Sequence, residues 1–204
     1  MAVFPLFIDL RDKLCVVVGG GSVATRKVCS LADFGARIKV VSPELSEKLE
    51  ELASERSIEA VRRSYRDGDL EGAFIAIAAT PEREINEEIY KYAAKHNIFV
   101  DVADCWQECT FIFPSIVRRD DLVVGIFTSG AYPALSKSVR KIIDAVIPQE
   151  YGSLLEVLKD LRNRAGSKIN DQSKRKEILS RIMTEAEKIF REYEDEEKNQ
   201  SRKP

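Results

Sequence analysis

The feature that most constrains the fold is a short apolar run that ends in glycines. The run Leu14–Val18 leads into the triplet Gly19–Gly21, and a segment with helical spacing follows. Gly19, Gly21 and Ala24 occupy the small-residue positions of the pattern G-x-G-x-x-G/A, which joins a strand to a helix in dinucleotide-binding domains. The pattern predicts dinucleotide binding. A tight strand-to-helix turn without a nucleotide is the alternative.

Each small residue of the pattern has its own role. Gly19 permits the tight turn, Gly21 leaves room for a pyrophosphate because it has no Cβ, and Ala24 lets the helix lie close to the strand. The free N–H groups at the start of that helix would face the anion.

The sequence after the glycines alternates short apolar runs with segments of helical spacing. This alternation predicts a parallel, doubly wound α/β sheet over residues 1–113. We expect Ser42 to cap the second helix, with Pro43 in its first turn. After a lead-in at 4–10, the predicted strands are 14–18, 37–41, 58–62, 73–79 and 98–103, and the predicted helices are 22–34, 44–54 and 80–96.

The pattern changes after residue 113. Two apolar runs, 110–117 and 122–127, flank four charged residues and predict an antiparallel hairpin. We expect a homodimer, because the C-terminal helices alone would otherwise have to cover this hairpin. Further helices are predicted at 134–146, 151–164 and 174–193, before a charged end that we expect to fray.

Composition argues against several classes of protein. The 204 residues are 44% hydrophobic with a formal net charge of −2, so charge does not favour nucleic acid or membrane partners. The sequence contains no apolar run long enough to span a membrane, and its first residues do not resemble a signal peptide. We therefore expect a cytoplasmic protein. Cys105 and Cys109 form C-x₃-C without a second pair, so we predict no structural metal site.

The end of the second predicted strand bears on the choice of cofactor. An Asp or Glu usually binds the ribose hydroxyls at this point, about 20 residues after the glycines. Here Ser42 can bond a ribose or a phosphate, and a carboxylate at Glu44 would oppose a 2′-phosphate, which favours NAD over NADP. Thr80 closes the fourth strand after two alanines, where small residues suit either a bound cofactor or ordinary tight packing.

Two carboxylates flank the end of the fifth predicted strand. The odd separation of Asp101 and Asp104 puts them on opposite faces if both are in a strand. Asp104 lies at the carboxyl end, where ligands bind in open α/β sheets, so it is the candidate to take a proton beside a nicotinamide ring or to hold a metal. A helix or turn cap is the alternative.

Several motifs occur in the order found in a known family. They are Pro5-Leu6-Phe7, the glycine turn up to Lys27, Asp104 with Thr110–Ile116, and Thr128-Ser129-Gly130 with Pro133–Ser136. Together they resemble siroheme synthase, in particular its precorrin-2 dehydrogenase/sirohydrochlorin ferrochelatase module. The resemblance implies a Rossmann domain that binds NAD at 1–113, a dimerisation region at 114–147 and a helical domain at 148–204.

The resemblance also implies an activity. Members oxidise precorrin-2 to sirohydrochlorin with NAD⁺, and some then insert Fe²⁺ at the same site. The sequence ends at Pro204 without the methyltransferase half, so we expect another protein to methylate uroporphyrinogen. A non-catalytic NAD- or tetrapyrrole-binding sensor is the alternative. The family's essential aspartate corresponds to Asp104, and its NAD contacts correspond to Ser22, Val23, Pro43 and Glu44.

Cations follow the Rossmann-like region, and precorrin-2 carries many carboxylates. Arginine suits carboxylates because its donors form a bidentate fork. We therefore predict substrate contacts at Arg118, Arg119, Lys137 and Arg140, although a solvated hairpin tip and helix face are the alternative for any one of them. For iron insertion, Asp104 would take pyrrole protons while the macrocycle supplies the metal ligands.

Overall fold

The computed structural model describes residues 3–103, 105–129 and 132–200, apart from the side chains of 133, 187 and 189–200. The chain divides into two compact units, Met1–Pro114, called here the N-terminal unit, and Ser115–Pro204, called the C-terminal unit. The predicted roles of 1–113, 114–147 and 148–204 as three domains stay predictions.

Strands and helices alternate along the N-terminal unit. The strands are β1 Leu14–Val18, β2 Arg37–Val41, β3 Glu59–Val61, β4 Ile75–Ala78 and β5 Phe99–Val102, and the helices are α1 Ser22–Ala32, α2 Glu47–Ser54 and α3 Arg83–Lys95. All strand pairs are parallel, in the order β3-β2-β1-β4-β5. This confirms the predicted α/β, Rossmann-like fold class.

The strand order changes direction at β1. This strand pairs with β2 on one side and β4 on the other, so Val18 lies opposite both Val41 and Ala78. At such a switch point the connections leave the sheet in opposite directions and open a crevice at the carboxyl ends, where ligands bind. Gly19 follows β1 directly, so the glycine turn lies at this edge.

Buried apolar residues cover both faces of the sheet. On one face Val17 and Ile77 pack with Leu31 of α1. On the other face Val16 packs in a cluster that contains Ile89 of α3. Helices on both faces explain why the strands are continuous apolar runs rather than alternating ones.

Two helix boundaries correct the sequence prediction. α1 ends at Ala32 rather than at residue 34, and Gly35 then adopts a left-handed φ of 73°. α2 begins at Glu47, and its N-cap is Ser46, whose Oγ accepts a hydrogen bond from the N–H of Leu49. The prediction of Ser42 as the cap was therefore wrong.

The C-terminal unit begins with the predicted hairpin. β6 Ser115–Arg119 and β7 Leu122–Ile126 are antiparallel, with Val117 opposite Val124. Residues 110–114, predicted to belong to the first hairpin strand, precede it. Thr110 instead bonds β5, since its N–H donates to the carbonyl of Val100 at 2.9 Å.

Three helices complete the C-terminal unit. They are α4 Pro133–Val146, α5 Glu150–Lys168 and α6 Gln172–Gln200. α6 therefore continues through residues 194–200, which we expected to fray. Of the helices in the described part of the chain, none is both long and apolar enough to cross a membrane.

Candidate functional site

Gly19 joins the ends of three strands. Its φ is 123°, and a Cβ there would lie 2.2 Å from the carbonyl oxygen of Ala79, just after β4. Its N–H donates to the carbonyl of Val41, at the end of β2, at 2.9 Å. Only glycine suits this position, because a side chain would meet both backbone strain and a fixed carbonyl.

Gly20 is a site residue that the sequence reasoning missed. A Cβ there would lie 1.9 Å from the carbonyl oxygen of Glu44 and 2.8 Å from Oγ of Ser42. Its own carbonyl accepts a hydrogen bond from the N–H of Ser46 at 3.0 Å. The dinucleotide pattern leaves this position unrestricted, so the only signal was that Gly20 is the middle one of three consecutive glycines.

Gly21 faces open space at the start of α1. Nothing in the described residues lies within 4 Å of the position that a Cβ would take. Gly21 is the N-cap of α1 and has no side chain that could cap the helix, and the first turn carries no acidic residue. The first N–H groups of the helix, at Ser22 and Val23, can therefore bind the oxygens of an anion. This arrangement fits the pyrophosphate of a dinucleotide.

Two hydroxyl groups connect the glycine turn to α2. Thr25 Oγ1 donates to the carbonyl of Gly21 at 2.9 Å and lies 2.8 Å from Oγ of Ser46, the cap of α2. Together with the contacts of Gly20, these bonds hold residues 42–46 beside the turn. The structure therefore brings the predicted residues of the glycine turn and of 42–44 together.

The segment 42–44 exposes two of its three predicted cofactor contacts. Ser42 is buried and its Oγ donates to the carbonyl of Glu44 at 2.7 Å. Pro43 and Glu44 are exposed. The Ser42 hydroxyl therefore shapes the segment, and the Glu44 carboxylate is the group free to meet solvent or a ligand.

Thr80 belongs to a hydrogen-bonded turn after β4. Its backbone N–H and its Oγ1 donate to Oδ1 of Asn86 at 3.2 and 2.9 Å, and Asn86 Nδ2 donates to the Thr80 carbonyl at 3.0 Å. Asn86 is buried on α3 and was missed by the sequence reasoning. The sequence could have indicated Asn86, because it is a polar residue on the same helix face as the buried residues Ile89 and Ala93.

Asp104, the predicted catalytic residue, lies outside the described residues. Its neighbours are placed, however. The N–H of Ala103 donates to the carbonyl of Ala78 at 2.8 Å, and the N–H of Cys105 donates to the carbonyl of Val102 at 3.3 Å. The chain on either side of Asp104 therefore lies at the carboxyl ends of β4 and β5.

Asp101 forms a largely buried ion pair with Lys27 of α1. The side chains are 10% and 17% exposed, respectively. Lys27 Nζ also lies 4.7 Å from the centroid of the Phe113 ring, a cation–π arrangement. This pairing links the helix of the glycine turn to β5, and the sequence reasoning, which singled out Asp101, did not foresee it.

Residues 105–110, which follow β5, are held by contacts with α3 and with β5. Arg83, at the start of α3, pairs with Glu108, with Nη1 2.8 Å from Oε2. The sulfur of Cys109 accepts a hydrogen bond from the N–H of Val102 at 3.3 Å. Burial raises the pKa of this thiol. The four cysteines are free, and the described part of the chain holds no cluster of three or more His, Cys, Asp or Glu side chains that suits a metal ion.

The predicted substrate cations have different surroundings in the C-terminal unit. Arg119 is 13% exposed, and its guanidinium donates to the carbonyls of Ile147 and Asp144, both at 2.8 Å, so its contacts favour a structural role at the end of α4. Arg118 and Lys137 are exposed, and Arg140 is half-buried. These three side chains keep surface that a ligand can reach, and Nε of Arg118 also donates to the carbonyl of Asp120 at 2.9 Å.

Comparison with known proteins identifies the family. The sequence model of a family described as "Putative NAD(P)-binding" matches residues 6–115, more than half of the chain. The chain belongs to this NAD(P)-binding family. The match includes the glycine turn, residues 42–44 and the segment after β5, so NAD(P) binding is assigned to the N-terminal unit.

Relatives that align with almost the whole of this chain are named siroheme synthase. That of Nitrosococcus oceani is 36% identical over 198 residues, which cover 96% of this chain and 42% of the relative. That of Pseudomonas paraeruginosa is 37% identical over 205 residues, covering 94% and 44%. The chain thus spans less than half the length of these relatives, and the resemblance found in its motifs is confirmed.

A solved structure has the same fold. The protein described as SirC, precorrin-2 dehydrogenase, superposes with a TM-score of 0.75 at 25% sequence identity, covering 88% of this chain and 89% of that one. The likeness therefore includes both units of the chain.

Proposed function

We propose that this chain is an NAD-dependent dehydrogenase that oxidises precorrin-2 to sirohydrochlorin. The observation that carries the proposal is the uncapped start of α1 at Gly21, which faces open space at the switch point of the sheet. The names of its siroheme synthase relatives and of the SirC structure support the choice of substrate.

The geometry of the glycine turn supports the proposed cofactor-binding residues. Backbone N–H groups of Ser22 and Val23 would hold the pyrophosphate, and Gly19 and Gly21 would make its close approach possible. When bound, NAD⁺ supplies the hydride acceptor. Residues 42–44 would face the adenosine ribose, and the exposed carboxylate of Glu44 would disfavour a 2′-phosphate and so favour NAD over NADP. Thr80, with its turn fixed by Asn86, borders the site at the end of β4.

The reaction removes two hydrogens from precorrin-2. One leaves as a hydride with the electron pair of its C–H bond, and the other leaves as a proton whose electron pair forms the new double bond. Asp104, the predicted base, accepts that proton. Precorrin-2 and NAD⁺ therefore give sirohydrochlorin, NADH and one proton.

The C-terminal unit supplies cations for the substrate. Arg118, Lys137 and Arg140 bind the carboxylates of the tetrapyrrole, while Arg119 serves mainly to hold the end of α4. Fe²⁺ is a second substrate, inserted as Asp104 takes the pyrrole protons and the macrocycle provides the nitrogen ligands.

The assembly that we propose is a homodimer. α4 exposes Leu135, Ile142 and Val146 by 50%, 61% and 63%, and a second copy would cover these side chains. A cytoplasmic location, and the lack of nucleic acid or membrane partners, stay predictions.

The test of this function is anaerobic turnover with freshly generated precorrin-2 and NAD⁺. We expect the sirohydrochlorin spectrum and one NADH for each precorrin-2 consumed, and Fe²⁺ added afterwards tests metal insertion. Asp104→Ala should bind NAD⁺ but lose turnover, whereas Asp67→Ala, at an exposed carboxylate distant in sequence, should keep it. Full activity of Asp104→Ala would contradict the assignment of the base.

Cofactor binding is tested separately. Gly21→Asp should abolish NAD⁺ binding, because its carboxylate would occupy the open space at the helix start and repel the pyrophosphate. Unchanged NAD⁺ affinity would refute the assignment of the glycine turn. A wild-type protein that binds NAD⁺ and converts no precorrin-2 would instead indicate a sensor.

A further inference from the structure

Trp106 is an exposed aromatic residue next to the candidate site. It is the single tryptophan of the sequence and its surface is 53% exposed. It begins a short 3₁₀ helix, Trp106–Glu108, four residues after the end of β5. The carboxyl ends of the strands form the ligand-binding edge in such sheets, so the turn that carries Trp106 follows a strand end at this edge.

The segment that carries Trp106 is held on both sides. On one side, the N–H of Cys105 donates to the carbonyl of Val102 at 3.3 Å. On the other, Glu108 is paired with Arg83 and has only 18% of its side chain exposed. The backbone thus presents the indole from a fixed turn rather than from a loose loop.

Such exposure is costly for an indole. Burying a large aromatic side chain stabilises a protein by removing its surface from water, and Trp is highly buried on average. A fixed turn that keeps the ring at the surface instead leaves a flat apolar face available to a ligand. Precorrin-2 presents flat pyrrole rings with carboxylates at their edges, and an aromatic face can contact these rings while cations elsewhere contact the carboxylates.

We propose that Trp106 stacks on the tetrapyrrole and is a specificity-determining residue for it. The inference rests on the proposed function, since it takes the substrate from there. Stacking on an aromatic ring contributes about tenfold in affinity, which is the expected contribution of the indole to substrate binding. Cofactor binding at the glycine turn does not depend on it.

Steady-state kinetics test this role with matched variants. Trp106→Ala should raise the KM for precorrin-2 about tenfold while leaving kcat and the KM for NAD⁺ unchanged. Trp106→Phe should restore most of the loss, because it keeps a flat ring. Phe4→Ala removes an aromatic residue that is 83% exposed and lies far from Trp106 in sequence, and it should leave all three constants unchanged.

The single tryptophan provides a second measurement. Sirohydrochlorin, with its absorption corrected for, should quench the intrinsic fluorescence of the wild-type protein, and NAD⁺ alone should not. Wild-type turnover combined with an unchanged KM in Trp106→Ala would overturn the stacking role and leave the dehydrogenase proposal intact.

The two proposals can also fail in the opposite way. Quenching by sirohydrochlorin without wild-type turnover would retain the tetrapyrrole contact and overturn the dehydrogenase. A protein that shows neither quenching nor turnover would overturn both.

Discussion

The N-terminal and C-terminal units use their apolar side chains differently. The N-terminal unit buries residues such as Val16, Val17 and Ile77 on both faces of its sheet. In the described part of the C-terminal unit, the buried hydrophobic residues are Val117, Ile126 and Ala165, while α4 exposes a stripe of large ones. One unit therefore has a core of its own, and the other has apolar surface suited to a partner.

The largest expected difference between the two units is the free-energy cost of breaking an ion pair. Lys27→Met would leave the buried Asp101 carboxylate without its cation and should cost about 3–5 kcal/mol of unfolding free energy. The matched change in the C-terminal unit is Lys159→Met, which breaks the pair with Asp121. Those side chains are 50% and 67% exposed, so the cost should be about 0.2–1 kcal/mol. Urea unfolding measures both, and equal costs would contradict the contrast.

Truncation of isoleucines tests the difference in burial directly. Ile89 is fully buried under the sheet, so Ile89→Ala should cost about 2–5 kcal/mol of unfolding free energy. Ile142→Ala, at a side chain that is 61% exposed on α4, should change the dissociation constant of the proposed dimer instead. Urea unfolding and sedimentation equilibrium separate the two effects. A dimer unaffected by Ile142→Ala would remove this residue from the interface.

Added methyl groups should have opposite effects in the two units. Gly20→Ala places a Cβ against the carbonyl of Glu44, so it should destabilise the fold by about 1–3 kcal/mol and weaken NAD⁺ binding. At Gly166, in α5, a Cβ would meet none of the described atoms within 4 Å. Gly166→Ala should therefore stabilise the helix by about 1 kcal/mol. Thermal unfolding gives both signs, and a stabilising Gly20→Ala would disprove the close approach.

The smallest expected effect is a pH-dependent change in stability from the Arg63–Asp69 ion pair. Arg63 donates two hydrogen bonds of 2.7 Å to the buried Asp69 carboxylate, which holds the pKa of that carboxyl below its ordinary value of 3.8. A depressed folded pKa gives stability that is present above pH 3.8 and is lost as pH falls through the folded value.

Arg63→Gln should therefore reduce stability at neutral pH, and its difference from wild type should shrink as the pH falls below 3.8. In the C-terminal unit, Arg164→Gln breaks an exposed pair with Asp160 and should leave the acid-unfolding curve unchanged. Urea midpoints between about pH 3 and pH 7 give the comparison. A pH-independent difference would show that Arg63 acts through packing alone.

Local patterns were sufficient to predict the sheet. β1 and β2 have the predicted bounds, because buried parallel strands are continuous apolar runs closed by turns. The glycine turn also identified its own position at the ligand-binding edge. The apolar runs and the glycine turn are local sequence patterns, so they can be recognised without knowing which residues pack against these elements.

Contacts between distant residues could not be predicted in the same way. The Lys27–Asp101 pair spans 74 positions, and the Gly20 contact depends on the path of residues 42–44. The cap of α2 was assigned to Ser42 because Ser-Pro is a common helix start, yet Ser46 occupies that role. The substrate contact of Arg119 stays a prediction, and the bonds of its guanidinium to the end of α4 are a further distant contact that the sequence did not indicate.

The contact between Gly20 and residue 44 has a consequence for how this protein can change. The turn touches the backbone carbonyl of Glu44 and not its side chain, so the peptide position is fixed while the side chain remains variable. Under the role proposed for Glu44, a mutation at residue 44 would alter the preference between NAD and NADP without disturbing the glycine turn. Laboratory selection could then exchange one cofactor for the other through very few substitutions, because the backbone beside the turn stays in place.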